Sequence, residues 1–337
     1  MNQDCEPGFS FSAWPLSLIL MMASLFLAPP LALADEPPAR PAGIDADRLL
    51  AQKISAYIDC INRHSNWTMG SRERYLDWIK DAKRGPTGRE PVIYGLYPLY
   101  DISDCRAGIE KAANLPPAYP EIEQSAAAWV EAFVTLDSLV AEANRYYELE
   151  NYKDDKMAKG KSMHPQLMEA FERFDAANNA LYGQVVTTQD GLAERRLQRL
   201  AGDPALEREY LFALLNDRAK QIVRLMDSVG TKSFDRDGFA TAVSEYEKAY
   251  FEADAYSTQQ SGQSKEAFDS IMMMMALEYL KSAKSLMRSE RGGFRFSAGE
   301  RMFIEDGSGE MVEGHPKHLV DRYNRFIDAS NRSSRHN

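Results

Sequence analysis

Across residues 119–150 the apolar positions are Ile122, Ala126, Trp129, Phe133, Leu136, Val140, Ala143 and Tyr147, in steps that alternate four and three without a miss. That spacing keeps a narrow seam in line along one face of an α-helix, and a helix over this stretch is about 48 Å long. The stepping recurs four times. Leu167, Phe171, Phe174, Asn178, Leu181 and Val185 form one seam, and Leu211, Leu215, Arg218, Ile222, Leu225 and Val229 a second. Phe239, Val243, Tyr246, Tyr250 and Ala253 form a third, and Phe268, Met272, Met275, Tyr279, Ser282 and Leu286 a fourth.

Local signals bound these helices. Pro165 fits a first helical turn, Asp203-Pro204 reads as a cap with its first residue, and Gly230 and Gly292-Gly293 end helices. Upstream, the pattern predicts helices over residues 44–63 and 71–83, the second capped by Ser71 with Glu73 in its first turn, and a short one over 102–113. Between them, residues 83–103 hold Gly85, Pro86, Gly88, Pro91, Gly95 and Pro98 together with Tyr94, Tyr97 and Tyr100. So many rings in an irregular loop predict that it lies on the helices. Residues 294–304 alternate weakly, as a small hairpin would. A last helix over 316–331 carries Leu319, Tyr323, Phe326 and Ile327 on one side. Short connections make sequential helices antiparallel. The expected fold is all-α: an elongated antiparallel bundle of long helices, one domain over residues 44–332, with an irregular Gly/Pro/Tyr-rich loop near its N-terminus.

The first residues change the picture of where the bundle works. Residues 16–28 form an apolar run too short to span a bilayer comfortably, followed by Pro29-Pro30 and the small-residue site Ala32-Leu33-Ala34. Residues 1–34 read as a secretory signal peptide and 35–43 as a Pro-rich tether. The segment before the run carries Asp4 and Glu6 and no Lys or Arg, so an uncleaved N-terminal membrane anchor is the alternative. No cysteine near the cleavage site offers a lipid-attachment point. The protein is expected to be exported, to the periplasm.

Loss of Asp4 and Glu6 takes the net charge from −10 to −8. An acidic chain without basic clusters repels phosphate backbones, which excludes nucleic acid as a partner. Of three cysteines, Cys5 leaves with the signal; Cys60 and Cys105 remain, a pair in an oxidising compartment. A bridge between them closes a loop whose entropy is worth about 4 kcal/mol. The alternative is two buried free thiols.

Several segments together resemble a known family. They are Lys53-Ile54-Ser55-Ala56-Tyr57-Ile58-Asp59-Cys60-Ile61-Asn62, Gly85-Pro86-Thr87-Gly88, Tyr94-Gly95-Leu96-Tyr97, and Cys105. After them come Tyr152-Lys153-Asp154-Asp155-Lys156, Gly160-Lys161, His164-Pro165-Gln166-Leu167, and Leu319-Val320-Asp321-Arg322-Tyr323-Asn324 with Ile327. In this order they are similar to the YiiG-like bacterial envelope lipoproteins, over residues 50–331. The resemblance implies an all-helical envelope domain of no established function and supplies no catalytic residues. This chain departs from the lipoprotein members in lacking the lipid-accepting cysteine.

Residues 151–163 join two long helices and set Asp154 and Asp155 among Lys153, Lys156, Lys159 and Lys161. With Tyr152 they form a candidate docking loop; a solvated connection is the plainer reading. Tyr94, Tyr97 and Tyr100 mark the other candidate interaction loop. Asn178 and Arg218 interrupt apolar seams, where a polar residue sets register or lines a cavity. His315 and His318 lack the further ligands of a zinc site, and His164 before Pro165 suits capping or packing. Met272 to Met275 point all round a helix and cannot converge on one ion. Asp235-Arg236-Asp237-Gly238 only imitates a calcium loop, and residues 305–310 are an acidic turn. No catalytic, metal or cofactor constellation is recognised. The expected function is a non-enzymatic interaction or scaffold module contacting an envelope protein or cell-wall component. The alternative is a periplasmic binding protein that holds a small molecule or metal ion between helices.

Overall fold

The computed structural model describes residues 42–260 and 268–335; the signal peptide, the anchor alternative and residues 35–41 of the expected tether lie outside them, while Ala42 and Gly43 belong to the first helix. Among the described residues there are nine α-helices and no strand. They are α1 (Ala42–Asp77), α2 (Ser103–Ala113), α3 (Pro120–Glu148), α4 (Ala158–Leu200), α5 (Glu207–Arg224), α6 (Arg236–Gln259), α7 (Ser270–Arg291), α8 (Ala298–Glu305) and α9 (Pro316–Arg335). Contacts divide the chain after Leu192, so that α1 to most of α4 form an N-terminal unit and the stretch from Ala193 a C-terminal one.

In the N-terminal unit every α3 seam residue is buried, and Trp129, Phe133, Leu136 and Val140 are wholly enclosed. They meet α4 through Phe174, whose ring lies 5.8 Å from both Trp129 and Phe133. They meet α1 through His64, whose ring stands edge-on to Phe133 at 5.1 Å. The two helices expected over 44–83 are one. Leu50, Ile54, Tyr57, Ile61, His64, Thr68, Ser71, Tyr75 and Trp78 are all buried, and their steps alternate four and three through the expected break. Ser71 caps nothing; its hydroxyl donates to the Tyr97 carbonyl at 2.6 Å. Cys60 and Cys105 are bridged, tying α1 to α2 with 5.4 Å between their Cα atoms.

At the other end of α1's apolar seam the wholly buried Lys53 ammonium donates to the Pro117 carbonyl at 2.8 Å and to the Glu123 carboxylate. That ammonium and the Tyr119 N–H hold the Glu123 carboxyl below the usual carboxylate range. A carboxylate with a depressed folded pKa contributes stability above its unfolded value, and the contribution fades as pH falls through the folded one. Glu123→Gln leaves a buried ammonium without its anion. Because the carboxylate reaches solvent, the expected loss is about 2 kcal/mol at pH 7, at the low end for such pairs. The difference from the parent should shrink below pH 4, as read by urea unfolding at both pH values. An equal difference at both would place the effect elsewhere.

The C-terminal unit packs α5, α6, α7 and α9 around tyrosines. Tyr279 donates to the Ala219 carbonyl at 2.9 Å and Tyr246 to the Ala276 carbonyl at 3.1 Å, while burial pushes both phenols well above their ordinary pKa. The expected seams of α6 and α9 are buried as predicted. That of α5 is not: Leu211, Leu215, Ala219, Ile222, Val223 and Met226 face inward, and Arg218, Leu225 and Val229 do not. Residues 294–304 make no hairpin. They end in α8, opened by a capping box in which Ser297 and Glu300 bond each other's backbone N–H groups.

Candidate functional site

The irregular segment after α1 holds the most distinctive surface of the N-terminal unit. From Tyr94 to Pro98 five consecutive backbone carbonyls each accept a hydrogen bond from a side chain of α1, of α3 or of Trp78 just past the end of α1. The donors are Arg74 (3.2 Å) to Tyr94, Trp78 (2.9 Å) to Gly95, Asn144 (3.0 Å) to Leu96, Ser71 (2.6 Å) to Tyr97 and Trp67 (2.7 Å) to Pro98. An irregular segment without a ladder partner must satisfy its carbonyls somewhere, and here α1, α3 and Trp78 do it. Gly95 has a φ of +64°, and a Cβ there would stand 2.8 Å from that of Tyr147. Gly85, with a φ of +74°, lies as close to the His164 ring. Glycine is required at both for the loop to lie this near α3 and α4.

Clamped in this way, the loop stacks its rings against α1. The Arg74 guanidinium lies between the rings of Tyr94 (4.7 Å) and Tyr97 (4.4 Å). Trp67 lies 5.0 Å from Tyr97 and stacks on Tyr100 at 4.6 Å. The order Tyr94, Arg74, Tyr97, Trp67, Tyr100 is a ladder with one edge in solvent: Tyr94 is 36% exposed, Tyr97 38% and Tyr100 50%. Tyr94 donates to Asp77, which holds its phenol above the usual value. Trp67 and Arg74 complete the site, and sequence reasoning missed them. They are one heptad apart, which sets both on one face of a continuous α1, but Trp67 falls inside the expected break at 64–70.

The Lys/Asp loop is shorter than expected, since α4 begins at Ala158 and takes in Lys159 and Lys161. Asp155 caps that helix: its carboxylate accepts from the N–H groups of Ala158 (3.1 Å) and Lys159 (2.9 Å) and from the Tyr146 hydroxyl (2.8 Å), which lowers its pKa. Lys153 pairs with Glu150 at 2.6 Å, near the Tyr152 ring. Asp154 and Lys156 are exposed. Pro165 falls inside α4, not in its first turn. His164 is buried; its Nε2 lies 2.9 Å from the Ala82 carbonyl, which can only accept, so Nδ1 takes the proton of the Tyr75 hydroxyl at 3.1 Å.

Asn178 is half-buried, and its side-chain oxygen accepts from Ser65 (2.5 Å) and Trp129 (3.0 Å), fixing the register of α1, α3 and α4. Arg218 is half-buried as well, in the C-terminal unit, with Asp217 at 3.1 Å and Glu245 at 3.4 Å. Each thus has its partners within its own unit. His64 is the buried polar group that the sequence reading passed over. Neither ring nitrogen has a hydrogen-bond partner, and burial first, then Arg63, lowers its pKa.

Met272 and Met273 are buried while Met274 is exposed, so the four sulfurs diverge. Asp235 caps α6 through the Gly238 N–H at 2.9 Å. His318 Nδ1 lies 2.7 Å from the Glu310 carbonyl, and His315, pushed down to about 4 chiefly by burial, accepts from the Lys317 N–H at 3.1 Å. Among the described residues no three His, Cys, Asp or Glu side chains are grouped to hold a metal ion, and no helix is long and apolar enough to cross a membrane.

Residues 48–332 match a family described as a protein of unknown function, DUF3829. The uncharacterized protein YiiG of Escherichia coli (strain K12) is 29% identical over 307 residues, which cover 90% of this chain and 85% of that protein. No solved structure matches the chain significantly.

Proposed function

We propose that this chain, which belongs to the DUF3829 family of proteins of unknown function, is an exported, periplasmic envelope protein that works without catalysis, as an interaction module. One observation carries the reading: the solvent edge of the Tyr94–Arg74–Tyr97–Trp67–Tyr100 ladder. Trp, Tyr and Arg are the side chains that dominate the energetics of protein–protein contacts. The five carbonyl clamps order these rings before any partner arrives, so little entropy remains to be lost on binding. The partner that suits such a surface is another envelope protein, and a cell-wall component is the competing occupant. The bridged Cys60–Cys105 pair supports an oxidising compartment.

A photo-crosslinking residue placed at Tyr100 in the native host tests this. A discrete protein adduct is expected, lost when Trp67→Ala is added and missing when the probe sits at the exposed Lys111. Adducts equal at the two positions, or a glycan adduct at Tyr100, would overturn it.

A second reading, a small molecule between helices, rests on Tyr57, His64 and Thr68, whose buried polar atoms have no hydrogen-bond partner. It requires a stoichiometric adduct that survives native mass spectrometry.

A further inference from the structure

The C-terminal unit carries a feature that the interaction reading does not use. An open cleft of about 570 Å³ lies along the last turns of α7 and is lined by Ser285, Arg288, Ser289, Arg291, Gly292 and Arg295. Positions 285, 288, 289 and 292 are spaced i, i+3, i+4 and i+7, one face of the helix. Gly292 ends α7, and Gly293 (φ +73°) and Phe294 (φ +52°) then turn the chain back, with the Phe294 N–H bonded to the Ser289 carbonyl at 2.8 Å. That turn brings Arg295 to the cleft that Arg288 and Arg291 already line. A left-handed conformation costs a non-glycine residue about 1 kcal/mol, so the return is made at an expense.

No ion pair among the described residues neutralises the arginines of this cleft, although the exposed Glu313 adjoins Gly314, which packs on Ser289. The one acidic residue between 285 and 295 is Glu290, and its buried carboxylate is held from both oxygens by Arg236, at 2.6 and 3.0 Å. Among the described residues no carboxylate pairs with Arg288, Arg291 or Arg295. Three guanidinium groups therefore share one concavity in a chain of net charge −10. The negative end of the α7 dipole accounts for arginines in its last turn. It gives no reason for Arg295, which lies beyond the helix. The serines and glycine leave the cleft unfilled and add hydroxyl donors. Arginine forks with hydroxyls suit the oxygens of phosphate, and the repulsion from the helix end, at most about 1 kcal/mol, is smaller than the attraction of three cations.

We propose that this cleft binds the phosphate group of an anionic ligand, independently of the aromatic ladder. Such a group belongs either to a soluble diphosphate compound or to a lipid headgroup. The test uses the full mature chain, from Asp35 on, with inorganic pyrophosphate in titration calorimetry. Vesicles of phosphatidylcholine, with and without phosphatidylglycerol, form the second arm. One pyrophosphate per chain is expected. Affinity should fall roughly tenfold in Arg288→Ser and again in Arg295→Ser, the factor that loss of one charge-assisted pair gives. Lys232→Ser, which removes an exposed charge from the same unit, should leave it unchanged. Arginine-dependent binding to the phosphatidylglycerol vesicles assigns the ligand to lipid; pyrophosphate binding without vesicle binding assigns it to a soluble compound. No binding to either probe, or equal losses in Lys232→Ser and Arg295→Ser, overturns the proposal. All three replaced side chains are exposed, so the variants fold.

Discussion

Replacing both Cys60 and Cys105 with alanine is expected to destabilise the protein by about 4 kcal/mol, the loop-entropy value for the 45-residue separation that the bridge spans. The structure gives the loss a location. Helix α2 has 11 residues, too few to persist alone in water, and it buries only Cys105, Ile109 and Ala112. Its attachment to α1 depends on the bridge more than on its own apolar face. Alanine is the suitable replacement because both sulfurs are buried, where a hydroxyl would add a second cost. Urea unfolding of the parent with and without reductant, beside the double variant, measures the effect. In a chain of this size the melting temperature should drop by roughly 6 °C. A loss under about 1 kcal/mol would mean that the two sulfurs act as ordinary core groups.

Trp129→Ala should cost a similar amount, about 3–5 kcal/mol. Trp129 is wholly enclosed, stacked on Phe133 at 5.7 Å and set beside His64 and Phe174 at 6.0 and 5.8 Å. Its loss leaves a cavity where α1, α3 and α4 meet. It also removes the Nε1–H bond to Asn178, the residue that links the three helices. Trp129→Phe separates the two contributions. It keeps most of the volume and deletes the donor, and should cost about 1–2 kcal/mol, the value of one buried hydrogen bond plus a small void. Equal costs for the two variants would show that the hydrogen bond, not the packing, holds this junction.

Where apolar residues fill every seam position, the sequence is enough to place the helix, as in α3, α6 and α9. Helix α1 obeys the same four-three rule, but His64, Thr68 and Ser71 stand in three consecutive seam positions, and a search for apolar side chains stops there. Ser71 can be buried because the loop brings it the Tyr97 carbonyl, a long-range partner that no local pattern reveals. In α5 the buried positions 211, 215, 219 and 222 follow the 3.6-residue turn of a short straight helix and not a 3.5-residue seam, so Ala219 replaces Arg218 on the inner face. The start of α8 is legible: Ser297-Ala298-Gly299-Glu300 is a capping-box sequence, a stronger signal than the weak alternation around it. For α4, Pro165 suggested a beginning that belongs to Asp155, because burial of His164 and Leu167 outweighs the roughly 3 kcal/mol of an interior proline. The tyrosines of the ladder were legible as a group. Their stacking was not, since it depends on the two α1 side chains between them.

The proposed role rests on export of the chain and on the Cys60–Cys105 bridge. Native mass spectrometry, without reductant, on protein taken from the envelope of its own host tests it most directly. The expected mass is that of residues 35–337 less two hydrogens, with no adduct beyond a phosphate-bearing ligand at the arginine cleft. A mass that retains residues 1–34, a chain carrying both free thiols, or a stoichiometric adduct that persists in the Arg288→Ser, Arg295→Ser double variant would contradict it.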